Sequence, residues 1–354
     1  MPTPFTIVDL FAGPGGLDLA ARQLGIPAVG IEWDCGACAT RTANRLDTRE
    51  GDVRLFGPER FEHTNVLAGG PPCQTFTVAG NGSGRKALDQ VLEFADRFMA
   101  REPLESIRAD LSTLEDERTG LVLEPLRWAL QALDAGRPFE VIVLEQVPAV
   151  RPVWERYAEL LGKEGYSVAD PKVLRTEEFG VPQTRRRAIF IARRRDSDRF
   201  SGVPGMPQPT HDPFNPLKKV RAARLHGPTG PVSMATALPD RPAPFVVISN
   251  YGTGGDPKAR GRRYSHEPSA TVTGKVSRNR VEAPEGVATD RFTWSEMGQL
   301  QTFPAAPDWT WAGKDVSQQI GNAVPPRLGM HILAAALDIP REELDAAIRK
   351  HYTY

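Results

Sequence analysis

The chain has 354 residues, with 44 Lys and Arg balanced by 44 Asp and Glu, so a basic total charge offers no argument for a nucleic-acid partner and only local clusters can carry one. Its length excludes a single small module, and 40% hydrophobic with 25% charged residues is the composition of a globular chain with a sizeable core. Three cysteines exclude a disulfide framework and point to a reducing cytoplasm; Met1 to Ile7 lacks the pattern of a signal peptide, and no apolar run of about 18 residues would span a bilayer.

In chain order, Phe5–Leu10 reads as a buried strand, Leu17–Leu24 as a helix, Ala28–Glu32 as a strand and Asp34–Arg45 as a helix. A strand at Asn65–Ala68, a helix at Leu121–Leu133 and a strand at Val141–Leu144 continue the series. Arg187–Arg193 alternates charged and apolar residues as an edge strand would. The repeated βαβ pattern predicts an α/β fold with a doubly wound, mostly parallel sheet covered on both faces. After about 194 the texture becomes rich in Pro, Gly, Arg and Lys, which predicts a smaller loop-rich domain to about 300; Pro326–Ile348 then has helical spacing and returns to the first domain. The expected division is 1–193 with an insertion at about 83–116, then 194–300, then 301–354.

Four segments carry chemistry. Asp9-Leu-Phe-Ala-Gly-Pro-Gly-Gly16 joins the first strand to the first helix, and its glycines allow backbone to approach a ligand. Counting from Gly13 and Gly15 puts Asp18 where a dinucleotide fingerprint needs its third glycine, which disfavours a nicotinamide cofactor. Glu32, at the end of the second strand, suits a ribose diol or is a surface Glu beside a structural turn. Gly69-Gly-Pro-Pro-Cys-Gln74 places Cys73 at a strand's carboxyl end, where open α/β folds hold ligands; the thiol is a nucleophile or a small core residue. Glu145 would face the same crevice as a proton-sharing acid, or be structural. The Gln183–Arg187 run offers guanidinium forks for a phosphate or a base carbonyl, or is a solvated charge run.

Taken together and in order, Asp9–Gly16, Glu32-Trp33, Pro71-Pro-Cys-Gln74, Glu145-Gln-Val147, Gln183–Arg187 and Gln319-Ile-Gly-Asn-Ala-Val-Pro-Pro326 resemble the motifs of the DNA cytosine-5 methyltransferases. The resemblance runs from residue 5 to about 333 and implies a class I S-adenosylmethionine methyltransferase fold with a target-recognition domain. It implies methyl transfer from S-adenosyl-L-methionine, leaving S-adenosyl-L-homocysteine and using no metal, to C5 of a flipped-out cytosine in a specific sequence of double-stranded DNA. Cys73 matches the nucleophile that adds at C6, Glu145 the acid at the base, and Arg187, with Arg185, the arginines near the base O2 and the phosphate. Phe11, Ala12, Gly13, Gly15, Gly16, Glu32, Trp33, Asp52, Val53, Pro71, Leu121, Asn322 and Ala323 match cofactor positions; among these Glu32 matches the ribose ligand, Trp33 the adenine neighbour and Asp52 the acceptor of the adenine N6 amine. Gln74, Arg193, Lys218, Lys219, Arg260 and Arg263 are the expected DNA contacts.

The same resemblance implies a cytoplasmic, nucleoid-associated enzyme acting as a monomer away from membranes, with a restriction endonuclease as a genetic and not necessarily physical partner. The alternatives are an RNA methyltransferase on this scaffold and a catalytically silent DNA-binding regulator. The Cys-Phe-Thr signature of the tRNA enzymes is absent, because all three cysteines precede residue 74; a silent regulator has no need to retain Cys73, Glu145 and Arg187 together. Gln146 replaces the family's Asn, one methylene longer with the same amide. The insertion carries Leu88, Val91, Leu92, Ala95 and Phe98 at helical spacing, which predicts a helix packed on the protein, the alternative being an element that closes on DNA. Cys35-Gly-Ala-Cys38 lacks a second ligand pair and is read as two small core residues, not a zinc site.

Overall fold

A computed structural model describes residues 3–72, 83–114, 116–216, 229–249 and 261–354. Its main sheet is built from β1 (Ile7–Leu10), β2 (Ala28–Glu32), β3 (Asp47–Glu50), β4 (Val66–Gly69), β5 (Val141–Gln146), β6 (Tyr166–Val168), β7 (Lys172–Arg175) and β8 (Arg186–Arg194). The strand order is 3-2-1-4-5-8-6, with β7 also paired to β8. Strands 1 to 5 run parallel, and β8 is antiparallel to each of its neighbours. The order reverses beside β1, so β1 and β4 diverge toward opposite edges and open a crevice at their carboxyl ends. The Asp9–Gly16 turn leaves β1 there, and the Gly70–Pro72 segment leaves β4.

Helices α1 (Gly16–Gln23), α2 (Cys35–Ala43), α3 (Ser83–Met99), α4 (Leu104–Leu111), α5 (Glu124–Asp134) and α6 (Arg151–Lys163) accompany this sheet. One face is covered by α3, α5 and α6, whose buried residues Val91, Phe94, Leu126, Trp128, Trp154 and Tyr157 join β-strand side chains such as Leu10, Leu67 and Leu144. The other face carries α1 and α10 (Pro326–Leu337), with Ala20, Leu328, Ile332 and Leu333 against Ile7, Val66 and Ile189. A second, antiparallel sheet contains β9 (Val246–Ile248), β10 (Arg262–Tyr264), β11 (Arg280–Glu282) and β12 (Ala288–Thr289) in the order 10-9-11-12. Its core, including Val247, Val281 and Phe292, also takes in α7 (Met234–Ala237), α8 (Trp294–Leu300) and α9 (Val316–Asn322). α11 (Arg341–His351) packs on α10 through Leu344 and Ile348.

The structure corrects several sequence readings. Arg187–Arg193 is not an edge: β8 lies between β5 on one side and β6 and β7 on the other. Its charges are confined to its ends, while Ala188–Ala192 is buried throughout, as a strand covered on both faces must be. The helical run from Pro326 breaks at Asp338, which takes a left-handed conformation before Ile339-Pro340, giving two helices. β3 was invisible because Asp47-Thr-Arg-Glu50 is largely polar and exposed on its outer edge. Cys38 is buried as expected, but Cys35 is exposed at the first turn of α2. Arg193, expected to meet DNA phosphate, is 2% exposed and donates to the Ala335 and Ala336 carbonyls at the C-terminal end of α10, at 2.6 and 2.7 Å. It caps a helix dipole and is not available to a phosphate.

Candidate functional site

The turn after β1 explains its own composition. Phe11 and Gly13 have φ of 59° and 56°, and Gly15 has φ of 101°. A side chain at Gly15 would strike Leu46, and a Cβ on Gly16 would sit 2.1 Å from the Val324 carbonyl oxygen. Gly13 differs, for a Cβ there would project into open space. Two glycines thus serve close packing, while the third leaves the crevice clear for a ligand.

Glu32 locks this turn to the end of β2. Its Oε2 accepts the Gly13 N–H at 2.7 Å, and its Oε1 accepts the N–H groups of Trp33 and Asp34 at 2.9 and 2.8 Å. Burial raises the Glu32 carboxyl above its ordinary value, and the three N–H donors oppose that rise. Beneath it, Asp18 occupies the position that a dinucleotide turn gives to glycine. It makes a two-pronged ion pair with the buried Arg41, both contacts at 2.8 Å. Burial, with Asp18 close by, pushes the Asp9 carboxyl well above 3.8.

A cleft of about 1060 Å³ joins the ends of β1, β2, β4, β5 and β8. Phe11, Ala12, Gly13, Gly16, Glu32, Trp33, Asp52, Val53, Leu121, Asn322 and Ala323 line it, as do Glu145, Arg185 and Arg187. Trp33 is 69% exposed at the cleft. Gly15 and Pro71 are not on the cleft surface. Gly15 caps α1, whereas Pro71 is buried and its carbonyl accepts from the Gln146 side chain. Pro72, the next residue, does line the cleft.

Its two halves differ chemically. On the β2 side, Asp52 accepts the Arg54 N–H at 2.9 Å and pairs with the Arg54 guanidinium at 2.6 Å. Against partial burial, which opposes it, these contacts lower the Asp52 carboxyl below its ordinary value. On the β5 side, Glu145 Oε1 lies 2.6 Å from Arg187 Nε, and both side chains are largely buried. Burial lowers Arg187 below the ordinary guanidinium value, with Glu145 opposing that. Arg185 is placed differently: it donates from Nη1 to the Val272 and Gly321 carbonyls, both at 2.9 Å, while its buried Nε has no protein partner among the described residues. It ties β8's leading loop to the second sheet's core and to α9, a bracing position as much as a chemical one.

Cys73, Gln74, Lys218, Lys219 and Arg260 lie outside the described residues. Arg263 is half-buried on β10 with its guanidinium 4.8 Å from the Phe214 ring centre. The structure adds cleft residues that sequence reasoning missed: Gly274, Ser277, Arg278, Trp294 and Gln318. Trp294 is 53% exposed at the first position of α8. Its only sequence signal was the capping box Thr293…Glu296 that starts the helix. No group of three His, Cys, Asp or Glu among the described residues could hold a metal ion, and no described helix is long and apolar enough to cross a membrane.

Comparison with known proteins gives the family. The model of the C-5 cytosine-specific DNA methylases matches residues 5–96 and 114–228. The chain is 28% identical over 356 residues to the Type II methyltransferase M.Eco47II of Escherichia coli, covering 93% of this chain and 78% of that one. It is 29% identical over 340 residues to M.NgoMIV of Neisseria gonorrhoeae, covering 91% and 94%. Among solved structures, the S. pombe Dnmt2 methyltransferase superposes with a TM-score of 0.61 at 16% identity, covering 94% of this chain and 98% of that one, and so shares the fold. With the match extending over more than half of its length, the chain belongs to the C-5 cytosine-specific DNA methylases and is a DNA cytosine-5 methyltransferase.

Proposed function

We propose that the enzyme methylates a flipped-out cytosine through a covalent adduct at Cys73, with Glu145 and Arg187 holding the base and the Gly13–Glu32–Asp52 wall holding the methyl donor. The observation that carries this reading is that one cleft brings Glu145, Arg187 and Pro72, which precedes Cys73, to the same space as Gly13, Glu32 and Trp33. A stacked base cannot enter such a cleft, so the cytosine must leave the duplex, at a cost of a few kcal/mol.

The family implies S-adenosyl-L-methionine as donor, and the residues fit it: Gly13 leaves space, Trp33 offers an indole face for the adenine, and Glu32 and Asp52 present carboxylates to a ribose and an amine. When bound, this group supplies an electrophilic methyl carbon on a sulfonium and leaves as the neutral thioether S-adenosyl-L-homocysteine. Cytosine C5 is a poor nucleophile in the aromatic ring. Addition of the Cys73 thiolate to C6 breaks the C5–C6 double bond and places electron density on C5, which then forms the bond to the methyl carbon. Glu145 stabilises the electron-rich ring by sharing a proton at N3, and Arg187 orients Glu145 while meeting the base carbonyl. Transfer of the C5 proton to water, with expulsion of the Cys73 thiolate from C6, restores the double bond.

In this reading residues 1–193 and 301–354 perform the chemistry, and residues 194–300 select the DNA sequence. Arg262 and Arg280, exposed and in register on either side of Ile248 in the second sheet, support a phosphate-facing surface there. The relatives' designation as Type II methyltransferases supports a genetic pairing with a restriction endonuclease.

DNA carrying 5-fluorocytosine at the target tests the route, because fluorine cannot leave as the proton does. A denaturation-resistant adduct is expected only with S-adenosyl-L-methionine present, and it should vanish in Cys73→Ala. An adduct that survives that substitution overturns the assignment. Bisulfite sequencing of DNA from expressing cells gives the methylated sequence.

A further inference from the structure

The stretch from 97 to 113 lies between the two segments that match the family, and it contains α4. It is narrower than the insertion expected at 83–116, and the family pattern gives it no role. The buried residue of α4, Ile107, sinks into the main core, which fixes how the helix presents the next residue. That residue, Arg108, donates from Nη2 to the Arg54 carbonyl at 2.7 Å.

Arg54 belongs to a single 3-10 turn, Val53–Leu55, that Asp52 caps. The turn is gripped from outside on the carbonyls of Val53, Arg54 and Phe56. Arg127 of α5, itself buried and paired with Glu124, donates to Val53 O at 3.2 Å and Phe56 O at 2.8 Å. Arg108 takes the carbonyl between them. Arg54 holds the Asp52 carboxylate within the turn, but a turn of one residue triplet has too few internal hydrogen bonds to fix its own placement, so the external donors set where turn and carboxylate sit together. The Arg108 charge also acts on Asp52, helping to keep it ionised.

We infer that Arg108, supplied by the inserted helix α4, is a positioning residue of the methyl-donor site, holding the Asp52 turn in the orientation that accepts the donor's adenine amine. This deepens the proposed reading of Asp52 and rests on it. The insertion is then a part of the cofactor site, and cofactor affinity is set partly by a segment outside the family pattern.

The test uses the full-length enzyme with S-adenosyl-L-methionine and S-adenosyl-L-homocysteine as calorimetric ligands, together with initial rates on duplex DNA. Arg108→Ala is expected to raise Kd for both ligands and KM for the donor by about threefold to tenfold, the scale of one lost charge-assisted hydrogen bond. kcat at saturating donor should change by less than about twofold, and Arg108→Lys should recover part of the affinity. Combined with Asp52→Ala, Arg108→Ala should add nothing further, since both act through one carboxylate. Unchanged affinity in Arg108→Ala alongside weakened affinity in Asp52→Ala overturns the inference and leaves the reading of Asp52 standing. Unchanged affinity in both removes the Asp52 reading and the inference with it. Additive losses in the double variant, or a lowered melting temperature with no recovery by Lys, show that Arg108 acts elsewhere and overturn the inference.

Discussion

Glu145 and Arg187 meet at 2.6 Å across the antiparallel pair β5 and β8, and both face the cleft. The reversal of β8 against an otherwise parallel set brings the start of β8 beside the end of β5, so two residues 42 positions apart share one site. In the proposed acid role, Glu145 would contribute ~10²–10⁴-fold in rate. Glu145→Gln keeps a hydrogen-bonding group but removes the charge that Arg187 faces. Single-turnover methylation should slow by that factor, while donor affinity stays within about threefold. A rate within a few-fold of the parent enzyme refutes the acid role.

Gln146 carries a second expectation. Its amide donates to the Pro71 carbonyl and accepts the Val147 N–H, so one side chain joins the end of β5 to the segment entering Cys73. Gln146→Ala leaves the buried Pro71 carbonyl unpaired, a loss of about 1–3 kcal/mol. Adduct formation with 5-fluorocytosine DNA should slow by more than tenfold while calorimetry shows donor binding retained. Gln146→Asn, the family residue, should fall between. Equal trapping rates for all three would separate Gln146 from the loop.

Of the parallel strands, β1, β2, β4 and β5 were legible because they are short apolar runs, and Ala28–Glu32 was placed to the residue. β8 was misplaced because charged ends imitate alternation when the buried middle is only five residues long. Most of the expected cofactor positions line the cleft, because motif and geometry coincide at the turn after β1. Arg193 was not readable: its cluster with Arg194 and Arg195 looks solvated, yet each guanidinium meets a carbonyl or carboxylate of this chain. Sequence shows charge but not what the fold places opposite it. Gly274, Ser277, Arg278, Trp294 and Gln318 escaped because they reach the cleft only through tertiary packing from the second sheet, α8 and α9.

α3 answers the question its apolar stripe raised. Val91 and Ala95 are fully buried, and Ala87, Phe94 and Phe98 nearly so, in the core shared with α5 and α6. Asp96 also pairs with Arg156 of α6. The helix therefore packs on the protein, although Leu92 sits at the margin of the buried face. Val91→Asp would bury an uncompensated carboxylate and should cost about 3 kcal/mol or more. Leu92→Asp should cost less than about 1 kcal/mol, because the charge can reach water. Thermal melts of both variants decide the point, and equal melting temperatures would mean that α3 is not seated as described.

The back of the molecule has its own pH dependence. His331 and His211 are buried near Arg327, and burial, reinforced by that cation, lowers them to about 3 and about 4. A histidine depressed in the folded state stays neutral there, while the unfolded chain takes up a proton below about 6.5. Unfolding is then favoured as pH falls through 6.5, and each such group removes about 2 kcal/mol of stability by pH 5. Asp9, Glu32 and Glu177, whose carboxyls burial raises, act in the opposite direction. Wild type alone therefore cannot isolate the histidines. His331→Phe keeps a ring beside Phe179, whose centroid is 5.2 Å away, and removes the proton while leaving those carboxyls in place. Between pH 6.5 and 5, its unfolding free energy in urea should fall less steeply than that of wild type, by about 1.4 kcal/mol per pH unit. Parallel curves would show that His331 carries a proton in the folded protein at pH 5.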